Sequence, residues 1–373
     1  MKQTAAFISC YSSDTFGVCS ALYELGGLVV MHDASGCNST YHTHDEPRAY
    51  YTDSAVYVTA LDETQAVLGA DEEVVNDIIT AAKEINPAFI AVCGTPIPMI
   101  TGVDFNALAK MCEMRTNIPS FGFATDGMHS YLLGIAQAYQ ALARRFVEPV
   151  GEKIPLSVNI LGATPLDFSV NGQIESLKAW LTANGFTVNS CWSMGSSLEE
   201  IKKSAQASVN LVISSAALTT AKILEKEYHI PYVAGVPYGE KGAAALAKTL
   251  HEASANGNSA VSYQADINTA DYAIIGEAVT ACSLANALAL EKGVYAKVLC
   301  PLECSPELLR SCDRRISSEE ELIKALAEFK AVIADDLYKP IVPKGAQFYS
   351  LPHEAFSGRM YHDKMPNLIN KPL

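Results

Sequence analysis

No stretch of 18 consecutive apolar residues occurs in the 373-residue chain, so no membrane span is expected. The opening residues, MKQTAAFISCYSSD, carry one lysine with no long apolar run behind it. That is a poor secretory leader, and the expected location is the cytoplasm. Basic charge is scarce: 27 Lys and Arg stand against 41 Asp and Glu, a net charge of −14. Such a surface repels phosphate backbones and argues against a nucleic-acid partner, while favouring solubility. Neither GxxxxGK[ST] nor GxGxxG is present, which excludes ATP binding through a P-loop and dinucleotide binding of the usual kind. Electrons for any redox chemistry are therefore expected to come from elsewhere.

Cysteine, by contrast, is plentiful, with ten residues. A reducing compartment argues against disulfides, and most single thiols serve packing. With 49% hydrophobic residues the chain can bury a sizeable core, and its length suggests two or three domains. Strands and helices alternate nearly throughout. Leu28–His32, Ala55–Thr59, Ala88–Cys93 and Pro119–Phe123 read as strands. Asp71–Ile85 is a helix by its stripe of Val74, Val75, Ile78, Ile79, Ala82 and Ile85. The rhythm restarts at Leu156–Leu161 and again at Tyr272–Ile275, with Ser254–Ser259 (SANGNS) as a linker between. The predicted fold class is α/β: three Rossmann-like domains, at 1–150, 151–255 and 256–373, with mainly parallel sheets around a central cleft. In such sheets ligands sit beyond the carboxyl ends of the strands.

Three cysteines fall at such ends. Cys10 closes the run AAFISC, Cys37 follows the first buried strand in the loop DASGC, and Cys93 ends the strand AFIAVC. Gly36 and Gly94 flank two of them, and glycine lets backbone approach a bulky ligand closely. Soft thiolates on loops suit an iron–sulfur cluster or zinc. Spacings of 27 and 56 residues argue against a zinc finger, which uses tight pairs, and leave a cluster or three packing thiols.

The stretch from Cys10 to Gly102 resembles the cluster-binding half of nitrogenase component 1 subunits. That family includes the molybdenum–iron protein, its cofactor-assembly scaffold, the dark-operative protochlorophyllide reductase and the reductase of the F430 pathway. The matching residues are the ordered set Cys10, Gly17, His32, Gly36 and Cys37, then TALDETQAVLG with Thr59, Glu63, Val67 and Gly69, then CGTPIPMITGVD from Cys93 to Asp104. Residues 209–231 and 347–362 resemble the family's second-domain strand–helix and its C-terminal segment. The resemblance implies that Cys10, Cys37 and Cys93 hold a [4Fe-4S] or larger, P-cluster-like centre at a subunit interface. It also implies an ATP-hydrolysing iron protein as electron donor, and assembly as a homodimer or as a heterotetramer with a second component 1 subunit. The catalytic subunit of nitrogenase anchors its large cofactor by a cysteine that would fall near Ile213–Ser215, where this chain has none, so no FeMo-cofactor is expected. His353 is the candidate for the other anchor or for a proton donor, with His362 beside it in sequence. The implied role is the catalytic component of a nitrogenase-like reductase acting on a small molecule, a tetrapyrrole among the options. The alternative is a scaffold for metallocofactor assembly. Glu63 and the turn at Ala66–Gly69 are candidates for supporting the cluster rim.

Other features read more plainly. Cys300, Cys304 and Cys312 form C-x3-C-x7-C, either a metal site or packing around a strand end. Cys19 is a supplementary ligand or a core thiol, and Cys112, Cys191 and Cys282 read as core. The run His42-Thr43-His44-Asp45-Glu46 reads as a solvated loop, with metal binding or proton shuttling as the other option. His129 receives no role.

Overall fold

The computed structural model describes residues 6–7, 12–34, 36, 41, 46–149, 152–263 and 269–373. Three parallel sheets follow one another along the chain. The first contains β1 (Leu28–Met31), β2 (Ala55–Val58), β3 (Ile90–Cys93) and β4 (Ser120–Phe123), in the order β2-β1-β3-β4. Its helices are α1 (Asp14–Leu22), α2 (Glu63–Leu68), α3 (Asp71–Ile85), α4 (Pro96–Thr101), α5 (Phe105–Thr116) and α6 (Tyr131–Phe146). The second sheet runs β6-β5-β7-β8-β9, from β5 (Ser157–Leu161), β6 (Thr187–Cys191), β7 (Val209–Val212), β8 (Tyr232–Ala234) and β9 (Ala260–Val261). With it go α7 (Pro165–Phe168), α8 (Gln173–Ala183), α9 (Leu198–Lys202), α10 (Leu218–Tyr228) and α11 (Glu240–Asn256). The third, ordered β12-β11-β10-β13-β14, holds β10 (Tyr272–Ile275), β11 (Ala296–Cys300), β12 (Arg314–Arg315), β13 (Ala331–Ala334) and β14 (Gln347–Ser350). Its helices are α12 (Ala278–Lys292), α13 (Glu319–Leu326) and α14 (Glu354–Ser357).

Every paired strand is parallel, and β1, β3, β5 and β7 are buried along their whole length. Helices cover both faces of such strands, so β1 and β3 are continuous apolar runs, while β5 and β7 each bury an asparagine, Asn159 donating to Asn210 at 2.8 Å. The α3 stripe buries Val74, Val75, Ile78 and Ala82, with three acids in its first turn and Asn86 in the left-handed conformation at its end. Two serines share the cap of α13: Ser318 accepts from the Glu321 N–H, while the Ser317 N–H donates to the Glu321 carboxylate. The SANGNS segment corrects the expected linker. Helix α11 continues to Asn256, Gly257 ends it at φ +75°, and β9 then joins the second sheet.

Helices α1 and α6 cross at backbone contact. A Cβ on Gly17 would lie 2.0 Å from the Tyr131 carbonyl oxygen, and one on Gly134 would lie 1.8 Å from that of Asp14. Only glycine fits either position, and the contact fixes Tyr131 relative to the start of α1. Among the described residues no helix is long and apolar enough to cross a membrane.

Candidate functional site at the strand ends and the inter-unit cleft

Cys93 is the last residue of β3, in register with Met31 of β1 and Phe123 of β4, and is fully buried. Its thiol interacts with that of Cys19 on α1, which is fully buried in the core. Burial pushes the Cys93 thiol well above its usual range, with Cys19 adding to the effect. The next residue, Gly94, has no room for a side chain: a Cβ would sit 2.2 Å from the Thr125 carbonyl oxygen. Its own carbonyl accepts from the Thr15 and Thr125 hydroxyls, both at 2.8 Å. Thr15 lies in the first turn of α1, so the start of that helix is clamped to the Cys93–Gly94 turn. His32 continues β1, its N–H donating to the Cys93 carbonyl at 2.9 Å and its Nδ1 lying 2.9 Å from the Thr59 hydroxyl. Cys10 and Cys37, the other two expected ligands, lie outside the described residues. Their described chain neighbours Ser12 and Gly36 flank α1 and follow β1, the two elements packed against Cys93.

Beside this rim the surface is unexpectedly apolar. Val67 and Leu68 of α2 are 82% and 80% exposed, and Ile100 of α4 is 85% exposed. Helix α2 has no buried residue at all, and Glu63, its first residue, faces solvent. The reading of Glu46 as part of a solvated loop is corrected: it is 1% exposed. Its carboxylate takes the Arg48 guanidinium at 2.7 Å and the Tyr41 hydroxyl at 2.8 Å. Arg48 also donates to Glu24, to the Ser20 carbonyl and to the Ser193 carbonyl of the second unit. A buried guanidinium costs several kcal/mol to desolvate, and this ring of acceptors offsets that cost. Residues His42, Thr43, His44 and Asp45 lie outside the described residues.

The second constellation lies at the strand ends of the second and third sheets. Asp167 follows β5, Glu277 follows β10, Asp335 follows β13 and His353 follows β14, and all four line one cavity of about 60 Å³. Apolar side chains such as Ile274, Leu284, Phe356 and Met365 form most of its wall. Asp167 Oδ1 accepts from the Tyr131 hydroxyl at 2.5 Å and lies 3.3 Å from His353 Nε2. Its other oxygen, Oδ2, is buried without a hydrogen-bond partner, as are both ring nitrogens of His353, so the 3.3 Å approach is an ion-pair contact. Burial opposes a charge on the His353 ring, but the Asp167 carboxylate, aided by Asp335 and Glu277, outweighs it and raises the imidazole pKa. Asp335 also fixes the backbone, accepting from the His353 N–H at 2.8 Å, and the ring stacks on Phe356.

Glu277 has a different task. It is fully buried and caps α12 through the Val279 and Thr280 N–H groups, and it accepts from the Ser215 N–H at 2.8 Å. Burial, with the Asp167 charge behind it, raises its pKa. This bond spans the second and third units, and beside it the hydroxyl of Ser214 is buried without a hydrogen-bond partner. His362 is turned toward Glu354, 3.0 Å away, and toward Ser169. His129 sits between Asp126 and Glu303. Cys112, Cys191 and Cys282 are buried, as expected of core thiols. Among the described residues no group of three or more His, Cys, Asp or Glu is placed to hold a metal ion.

Asp167, Tyr131 and Glu277 were not foreseen. Asp167 and Glu277 each stand a few residues beyond a buried strand, and that placement was the available signal. Tyr131 had none, because its partner is 36 residues away in sequence and in another unit.

Comparison with known proteins gives a consistent result. The family described as "Nitrogenase component 1 type Oxidoreductase" matches residues 13–293. A subunit of the light-independent protochlorophyllide reductase of Picosynechococcus sp. is 27% identical over 321 residues, 74% of this chain and 62% of that protein. The nitrogenase iron-molybdenum cofactor biosynthesis protein NifE of Bradyrhizobium diazoefficiens is 28% identical over 190 residues, 49% of this chain and 34% of its own length. The chain thus spans less than two thirds of these relatives. The solved structure "Nitrogenase Cp1 at pH 5" superposes with a TM-score of 0.69 at 16% identity, covering 99% of this chain and 88% of that one, which shows a shared fold. With more than half of its length matched by the family, the chain belongs to the nitrogenase component 1 type oxidoreductases.

Proposed function

We propose that the chain is the catalytic component of a two-component, ATP-dependent reductase that takes electrons from an iron protein and reduces a small organic molecule in the cleft. The observation that carries this reading is the Asp167–His353 pair on an apolar cavity, with Asp167 Oδ2 and the His353 ring nitrogens buried without hydrogen-bond partners. A reduction needs a proton donor beside its substrate, and the Asp167 carboxylate, which raises the His353 pKa, favours the protonated ring that can donate. Tyr131 holds Asp167 Oδ1, so that Oδ2 is left for ligand or proton. The apolar wall keeps water away from the transfer.

Cys10, Cys37 and Cys93 would hold an iron–sulfur cluster, [4Fe-4S] or larger, which supplies one-electron carriage when bound. The environment of Cys93 fits this: a thiol at a strand end, next to a glycine that can carry no side chain. The exposed apolar faces of α2 and α4 beside it support a second component 1 subunit at this rim, identical or not, with the iron protein docking nearby. Among the described residues no thiol lines the cleft cavity, which supports an organic substrate over both dinitrogen reduction and a cofactor-assembly scaffold. A substrate with a reducible double bond fits best. A tetrapyrrole would enter only if the segment from Leu351 to Leu368 moved off the cavity, given its size.

The test is an anaerobic stopped-flow mix with a reduced iron protein. Cluster absorbance should bleach with MgATP and stay unchanged without it. An unchanged signal with MgATP overturns the reductase reading in favour of the scaffold, and ammonia formed from dinitrogen refutes the argument from Ile213–Ser215.

A further inference from the structure

The turn after β11 carries part of the C-x3-C-x7-C motif, and the cleft chemistry leaves it unused. Cys300 ends β11 and is fully buried; Cys304 is half-buried and lines a separate pocket of about 350 Å³ with Arg310, Asp313 and Arg315. The Cys300 and Cys304 thiols interact side chain to side chain, and the Cys300 S–H donates to the Leu302 carbonyl, 3.7 Å away. Cys312 does not join them. Its sulfur faces Asp313 Oδ1 at 3.6 Å, on a carboxylate that Arg310 grips at 2.8 Å and Cys282 touches at 3.4 Å. The motif therefore divides into a dithiol and a structural ion-pair cluster, and it assembles no three-thiol metal set.

We propose that Cys304 and Cys300 form a thiol–disulfide exchange site, with Cys304 as nucleophile and Cys300 as resolving thiol, open to small anionic disulfides of the glutathione type. Cys304 alone of the pair reaches the pocket. The hydrogen bond from Cys300 stabilises its thiolate most, Arg315 adds to that, and together they outweigh burial and the nearby Glu277 and Glu303. Arg315 is exposed at the pocket mouth, where it favours a negatively charged partner.

In the first step the Cys304 thiolate attacks one sulfur of the small disulfide. That S–S bond breaks, one half leaves as a thiolate and takes up a proton, and Cys304 holds the other half. Cys300 then attacks the Cys304 sulfur, losing its proton to solvent and expelling the second half. The net change oxidises two protein thiols to one disulfide and reduces one small disulfide to two thiols, a two-electron exchange. The neighbouring Glu303 binds the Ser130 hydroxyl and lies 3.5 Å from His129 Nδ1, so the exchanging turn is also a contact between the third and first units.

The experiment exposes reduced full-length protein, anaerobically, to glutathione disulfide, then quenches with an alkylating agent and maps the peptides by mass. The glutathione adduct should appear first on Cys304 and give way to a Cys300–Cys304 disulfide. Cys300→Ser should halt the reaction at a lasting adduct on Cys304, and Cys304→Ser should leave Cys300 unmodified. Arg315→Glu should slow the first step with glutathione disulfide about threefold or more, relative to uncharged hydroxyethyl disulfide. Adduct forming on Cys312 as fast as on Cys304 in the wild-type protein overturns the assignment, with no variant needed. So does a Cys300→Ser protein that accumulates no adduct. Equal slowing of both disulfides by Arg315→Glu overturns the anionic preference.

Discussion

The Cys93 rim and the Asp167–His353 cleft occupy the same place in related sheets, the carboxyl ends of parallel strands, yet they are built on opposite chemistry. The rim offers a buried thiol, a glycine pressed against backbone and a flanking apolar surface. The cleft offers carboxylates and an imidazole around an apolar cavity, with no sulfur in its lining among the described residues beyond the thioether of Met365. A parallel sheet leaves its strand ends free of ladder constraints, so each sheet can load that edge differently. The contrast separates a buried thiol beside an exposed apolar surface from carboxylates and an imidazole lining an apolar cavity. Between them runs the α1–α6 contact, which joins the Thr15 clamp on Gly94 to the Tyr131 hydrogen bond on Asp167.

The largest effect should come from Cys93→Ser. Iron and sulfide per chain, measured on anaerobic protein, should fall to near nothing, because a serine hydroxyl ionises far less readily than a thiol. Cys112→Ser and Cys191→Ser should keep their iron. Equal iron in all three variants would break the comparison at its first side.

Arg48→Ala should come next. It strands Glu46 in the interior and cuts the tie to Ser193, at a cost of about 3–5 kcal/mol in urea unfolding. Arg115→Ala, which removes an exposed pair with Glu72, should cost under about 1 kcal/mol. Similar losses from the two would mean that Arg48 is not a buried joint between the units.

Tyr131→Phe removes the donor to a buried carboxylate and should cost about 1–3 kcal/mol, with the fold otherwise intact. An unchanged melting curve would show that this bond does not link the first unit to the cleft.

The smallest effect is one of pH. His353 has a raised pKa, so its contribution to stability is full below the ordinary histidine value of 6.5 and is lost as pH rises through the raised one. Asp167→Asn removes the main cause of that rise, so stability should decline less steeply with pH above 6.5 in the variant. Parallel slopes for the two proteins, or an unmoved His353 titration by NMR, would remove the argument for a charged donor.

The alternation of apolar runs and amphipathic stripes was enough to place the central strands and most helices, since covered parallel strands must be apolar along their length. It missed β12 and β14, short edge strands such as Arg314–Arg315 and Gln347–Ser350, which carry no such run. It also misread Glu46, because an acid in a polar stretch looks solvated until its buried arginine partner is seen. The sequence by itself determined the three-sheet α/β plan, the strand-end position of Cys93 and the lack of a cysteine near Ile213–Ser215. Only the tertiary structure decided that Tyr131, Asp167 and His353 meet, that Glu277 bridges to Ser215, and that Cys300 pairs with Cys304 while Cys312 turns to Asp313. Periodicity reports which face of an element is buried. It carries no information about which distant loop ends arrive at the same point, and that is settled by how the sheets and helices pack.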